Sequence, residues 1–138
     1  EMPGLPEIPI FVDGADEKTK KILEALAHSI SDDEVELSDD DERMKLHVAA
    51  VVVSNFTNYL YTLAEEYCRK ENIDFKLLLP LIEEVAQRIK NISPSQTQTG
   101  PAIRNDLETI EKHLALLDKY PELKKVYEFL SLSIAKSK

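Results

Sequence analysis

Four side chains on one stretch of this chain have the types needed for proton transfer and hydrogen bonding to a small polar molecule. They are His47, Ser54, Asn55 and Asn58, within RMKLHVAAVVVSNFTNYLYTLAE from Arg43 to Glu65. An imidazole titrates near neutrality and can give or take a proton, while amides and a hydroxyl can hold a carbonyl, imine or alcohol in place. At about 100° per residue, a helix here puts Val51, Ser54, Asn58 and Glu65 within about 40° of His47, with Arg43 and Tyr61 on the margin and Asn55 one step aside. The spacing predicts one polar stripe. Such a stripe can also be structural, paired inside a core or across a subunit interface, because a buried Asn, Ser or His without a partner costs roughly 1–3 kcal/mol.

A second group lies in ISPSQTQTGPAIRND, where Thr97, Thr99, Gly100 and Arg104 lead into a helix. Free backbone N–H groups at a helix start, together with a guanidinium, can hold an anionic group of a substrate. The plainer alternative is an ordinary helix start, with Asn105 or Asp106 as cap and Arg104 in a surface ion pair. The two groups stand in different helical hairpins and could converge.

The elements that must position these residues follow from periodicity. Between Leu46 and Val53 only His47 is polar, which predicts a helix apolar almost all round and buried at the centre of the fold. It should run from about Asp39 to Asn72, with Ser38 as N-cap and Asp39, Asp40 and Asp41 in the first turn, where the helix dipole favours acids. The Asp-x-Asp-x-Asp-Gly spacing of a calcium loop is absent there. Upstream, Ile8 to Val12 reads as a strand closed by the turn Asp13-Gly14, followed by a helix from Asp16 to Ile30 with Ile22, Leu23, Leu26, Ala27 and Ile30 on one face. Glu34 to Leu37 then reads as a second strand.

Strand, helix, strand is a parallel βαβ unit, and such strands normally lie in a larger covered sheet. Nothing else reads as strand. The expectation is therefore that residues 1–38 are the last βαβ of a parallel-sheet domain lying upstream of Glu1, and that 39–138 form a helical domain. In that domain, Asp74 caps a helix to Ile92 that buries Leu77, Leu78, Leu81, Ile82, Val85 and Ile89 and is kinked by Pro80. Further helices run from Ile103 to Tyr120, with Leu107, Ile110, Leu114 and Leu117 inward, and from Pro121 to Lys136, with His113 on the surface. The fold class is mainly α, four to five helices around one long central helix, preceded by a short βαβ segment.

Composition removes several classes of function. A net charge of −9 with scattered Lys and Arg argues against nucleic acid or an anionic membrane as partner. The apolar run is too short to span a bilayer and no signal peptide opens the chain, which predicts a cytoplasmic protein. Cys68, the one cysteine, has no Cys or His at metal-ligand spacing, so no metal is expected and Cys68 reads as packing. Gly4, Gly14 and Gly100 are isolated, so neither a dinucleotide fingerprint nor a phosphate loop can be built. Hydrolase and metalloprotease motifs are likewise missing.

The order HVAAVVVSNFTNYLYTLAEE, LLLPLIEEVAQRI, SPSQTQTGPAIRND resembles one bacterial family over roughly Ile8 to Ile134. It is similar to the C-terminal domain, long catalogued as a domain of unknown function, of Rossmann-like oxidoreductases related to pyrroline-5-carboxylate reductase, ketopantoate reductase and 6-phosphogluconate dehydrogenase. That resemblance implies an N-terminal NADP-binding domain, a homodimer made by the helical domains, and an active site between the nucleotide domain and the central helix. Carried onto the matching motifs, it implies His47, Asn55 and Asn58 as catalytic candidates and Ser54, Thr99, Gly100 and Arg104 as substrate-binding ones. The cofactor, whether NADP, NAD or a deazaflavin, would be bound mainly by the upstream half, and none is expected on this segment alone. The alternative is a non-catalytic helical dimerisation or interaction module with a structural stripe.

Overall fold

The computed structural model describes residues 9–31 and 35–137, and the chain divides into two compact units, 1–57 and 58–138. The first unit opens with β1 (Ile10–Val12), α1 (Glu17–Ile30) and β2 (Val35–Leu37). The strands pair in parallel, Ile10 opposite Val35 and Val12 opposite Leu37, as a βαβ crossover requires. Ile8 and Glu34, where the strands were expected to begin, lie outside the described residues.

Local chemistry sets each boundary. Gly14 makes the turn after β1: a Cβ there would meet the backbone nitrogen of Lys20 at 3.0 Å. Asp16 caps α1 through the Thr19 N–H. The next helix is capped by Asp39, one residue later than expected, and its carboxylate accepts from the Glu42 N–H while Glu42 accepts from the Asp39 N–H. This reciprocal pairing satisfies two orphan donors where a serine at position 38 would satisfy one. From there α2 runs over Asp40–Ala50, a π-helical segment over Val51–Phe56 and α3 over Thr57–Lys70.

The expected burial of this helix is not what the structure shows. Val48, Val52, Val53 and Phe56 are 60%, 51%, 72% and 58% exposed, and no residue of α2 or of the π segment is buried. A helix apolar on several flanks needs neighbours on several flanks, and the described residues do not supply them. The same correction applies to α1, where only Ala27 of the expected face is buried while Ile22, Leu26 and Ile30 are exposed.

In the second unit α3 ends at Lys70, and Asn72, with φ 57°, turns the chain while the Ile73 N–H bonds back to the Cys68 carbonyl. Asp74 then caps a 3₁₀ turn, Phe75–Leu78, which leads into α4 (Leu79–Arg88). Pro80 therefore stands in the first turn of α4, where its missing N–H costs nothing, rather than kinking a longer helix. Leu77, Leu81, Val85 and Ile89, expected inside, are exposed, and Leu78 and Ile82 are half-buried.

The polar loop contains two single helical turns, α5 (Pro94–Thr97) and α6 (Pro101–Arg104), each opened by proline. Asn105 at φ 56° separates α6 from α7 (Leu107–Leu116), which Asp106 caps by accepting from the Thr109 N–H and hydroxyl. A 3₁₀ turn at Leu117–Lys119 and α8 (Pro121–Ala135) complete the unit. α6 packs on α7 and α8, with the small Ala102 buried there and Leu117 buried at the α7–α8 turn. Leu107, expected inward, is exposed.

Candidate functional site

In the first unit the candidate side chains hang from a helix whose start is tied to the sheet. The Arg43 guanidinium lies 2.9 Å from the Asp13 carboxylate, at the carboxyl end of β1, and donates to the Ser38 carbonyl at 3.2 Å and to Asp40. Asp13 also accepts from the Gly14 N–H at 2.7 Å and has Lys20 at 3.9 Å. The bond from Arg43, more than the Gly14 N–H, holds the Asp13 carboxyl below the usual carboxylate range. Carboxyl ends of parallel strands are where such sheets bind ligands, and the stripe begins from this corner.

The π segment changes the stripe itself. Each i→i+5 bond closes a turn one residue wider than an α-turn, so residues passing through the segment fall back by roughly 100°, one step. Arg43, His47, Val51 and Asn55, four apart, then stay in line. Ser54, expected under His47, is turned to the flank, and Asn55, expected one step aside, takes its place. The apolar residues are combed in the same way, since Met44, Val48, Val52 and Phe56 also follow at intervals of four and form a neighbouring exposed ridge. Thr57 bonds through its hydroxyl to the Val52 carbonyl five residues back at 3.4 Å, across the wide turn.

His47, Ser54 and Asn55 are all exposed, and among the described residues their side chains make no hydrogen bond to the protein. They are not satisfied core polars within this chain. Asn58 opens the second unit and is exposed.

In the second unit Thr99 and Arg104 are exposed and Gly100 is half-buried with φ 104° and ψ 175°, a conformation that glycine alone adopts without strain. Arg104 lies on a single helical turn that ends at once in Asn105, so the region is a folded loop and not the start of a long helix. Asp106 is the cap of α7, as the plainer alternative anticipated, and Thr109 chiefly lowers its pKa, with Arg104 adding a smaller field. Thr97 closes its own turn by donating to the Pro94 carbonyl at 3.1 Å.

His113, expected on the surface, is half-buried with Nδ1 2.8 Å from the Tyr127 hydroxyl and the rings edge to face. With Tyr67, Leu116, Leu117 and Leu123 they line a cavity of about 290 Å³. The i, i+4 spacing that puts Leu123 and Tyr127 on one side of α8 was the available signal. Arg43 and Asp13 were likewise legible only as a marginal residue and a turn residue, because a contact between a strand end and a helix has no periodicity.

The model of the domain of unknown function DUF2520 matches residues 8–134. The chain belongs to the DUF2520 family. Among solved structures it is similar to the putative NADP oxidoreductase BF3122 from Bacteroides fragilis, at 40% identity and a TM-score of 0.92 over 97% of this chain and 51% of that one. It is also similar to protein TM1727 from Thermotoga maritima, at 25% identity and a TM-score of 0.74 over 92% and 52% of the two chains. This DUF2520 chain thus spans about half the length of those proteins. No curated protein matches it. The mainly α fold with a small parallel sheet and the relation to oxidoreductases expected from the motifs both stand.

Proposed function

We propose that this DUF2520 chain is the substrate-binding and dimerisation part of an NADP-dependent oxidoreductase acting on a small carbonyl or imine, or in reverse on an alcohol or amine. The observation that carries this reading is the alignment of His47 and Asn55, exposed and without hydrogen-bond partners among the described residues, on the flank of the helix that follows β2 and is tied through Arg43 to the carboxyl end of β1. The likeness to BF3122, described as a putative NADP oxidoreductase, supports the reaction class.

On this reading His47 holds or protonates the substrate oxygen or nitrogen, and Asn55 hydrogen-bonds to it. One α-turn and one wider π-turn separate the two side chains, roughly 10–12 Å along the axis, which suits a substrate with polar groups toward both ends lying over Val51. Asn58, Ser54, Thr99, Gly100 and Arg104 remain candidates by motif. The residues described do not fit a dinucleotide pyrophosphate: the turn after β1 has one glycine and presents the Asp13 carboxylate. Cofactor binding is therefore assigned to the part of the relatives' length beyond this chain.

The experiment is His47→Ala and Asn55→Ala in the intact protein, assayed as NADPH oxidation with a panel of small carbonyls and imines. Loss of a group that stabilises the transition state lowers turnover by about 10²–10³ with little change in melting. Large destabilisation with unchanged turnover per folded molecule removes the site assignment and leaves the interaction module. The dimer is tested separately by light scattering of wild type and Phe56→Asp. A covering surface of the obligate kind, above about 2,000 Å² in total, gives a dimer that the charge disrupts; a monomer across micromolar concentrations counts against it.

A further inference from the structure

We infer that the Asp13–Arg43 pair is a positioning device for His47, fixing the roll of the helix that carries it; the inference rests on the reading of His47 as a site residue. Among the described residues, side-chain bonds between the strand end and α2 converge on one guanidinium: Arg43 meets Asp13 after β1, the Ser38 carbonyl after β2, and Asp40 in its own first turn. An arginine fork bonded in several directions fixes orientation in a way that a single charge cannot.

Among the described residues, nothing along the side of α2 duplicates that role. Met44, Val48, Val52 and Phe56 are exposed, so their packing does not set which flank faces the sheet. The capping box at Asp39 and Glu42 fixes where the helix begins, but both its bonds are internal to the helix start and leave the roll free. His47 follows Arg43 by one turn, about 40° around the axis, so a helix released at Arg43 carries the imidazole with it. Asp13 and Arg43 are each about one-third exposed, 30% and 34%, which leaves room for the helix to shift when the pair is broken.

The test is the rate at which diethyl pyrocarbonate modifies each histidine of the intact protein, read by mass spectrometry in Asp13→Asn, Arg43→Gln and the exchanged double variant Asp13→Arg/Arg43→Asp. The two single variants remove opposite charges. A purely electrostatic influence would therefore act on the His47 rate with opposite signs in the two. Through position, both release the same helix. The expected result is a several-fold change in the His47 rate in the same direction for both, restored in the double variant, with His28 and His113 unchanged. Opposite changes, no change, or equal movement of all three histidines would overturn the inference. Should His47→Ala leave turnover intact while the labelling behaves as expected, the positioning stands and the catalytic reading of His47 falls.

Discussion

In residues 1–57 the long helix is anchored through one guanidinium at its start and bare along Met44, Val48, Val52 and Phe56. In residues 58–138 the helices close on Leu63, Cys68, Ala102 and Leu117 and are pinned by ring contacts, Tyr67 edge to face with Tyr120 at 5.1 Å and His113 with Tyr127 at 5.7 Å. The difference teaches where each unit gets its cohesion. The second has its own small core, whereas the first buries only Val12 and Ala27 among its described residues and keeps order by caps, ladder bonds and an ion pair while offering an apolar ridge. Exposed apolar surface of that extent marks an interaction site, and under the proposed function the cover is a second copy.

The comparison breaks most visibly if the two surfaces respond alike to truncation. Leu117→Ala removes a side chain only 6% exposed and should cost about 2–4 kcal/mol in urea denaturation. Val53→Ala, at 72% exposure, should change the stability of the isolated chain by no more than about 0.5 kcal/mol. Similar losses at low protein concentration would mean that Val53 is packed within the chain after all.

Next in size is Gly100→Ala, which sharpens the view of the second unit as built on defined backbone. A Cβ at Gly100 meets nothing within 4 Å, but φ is 104°, so the loss is conformational, about 1–3 kcal/mol. A neutral substitution would show that the loop relaxes at no cost. Smaller again is Asp39→Ala in the first unit, where removing the cap should cost about 0.5–2 kcal/mol. Faster amide exchange should be confined to Glu42 and Arg43, and an effect spreading through α3 would show that the cap supports more than the helix start.

What could be read beforehand divides along the same line. The caps at Asp16, Asp74 and Asp106, the parallel pairing of β1 and β2, and proline at the start of α8 are local and were legible in residue type and spacing. Burial was not, since a run such as Leu46 to Val53 records that cover is needed and not whether the same chain provides it. The π segment escaped because a 100° projection assumes the register it is used to find. Three consecutive β-branched residues, Val51, Val52 and Val53, were the only hint. That one-step insertion is why Asn55 and not Ser54 lines up with His47.

The smallest expected effects are electrostatic, and they separate the units by pH. Asp13 is held below its ordinary value of 3.8, first by Arg43 and then by the Gly14 N–H. A depressed folded-state value stabilises above the ordinary carboxylate range, and the contribution is lost as pH falls through the lower value. Tyr120 goes the other way: its hydroxyl donates to the Glu71 carboxylate, which raises it from 10.0 to about 12. That contribution is complete below about pH 10 and disappears as pH rises through about 12. Acid also reaches Asp106 in the second unit, whereas alkali should spare the first, because the bond to Asp13 raises the Arg43 guanidinium further still. The measurement is the difference in melting temperature between wild type and each of Asp13→Asn and Tyr120→Phe along a pH series. The Asp13→Asn difference should be present at neutrality and shrink in acid, and the Tyr120→Phe difference should persist to about pH 10 and vanish beyond about 12. If the two differences shrank at the same end of the scale, the first unit would not be held by its ion pair in the way the comparison requires.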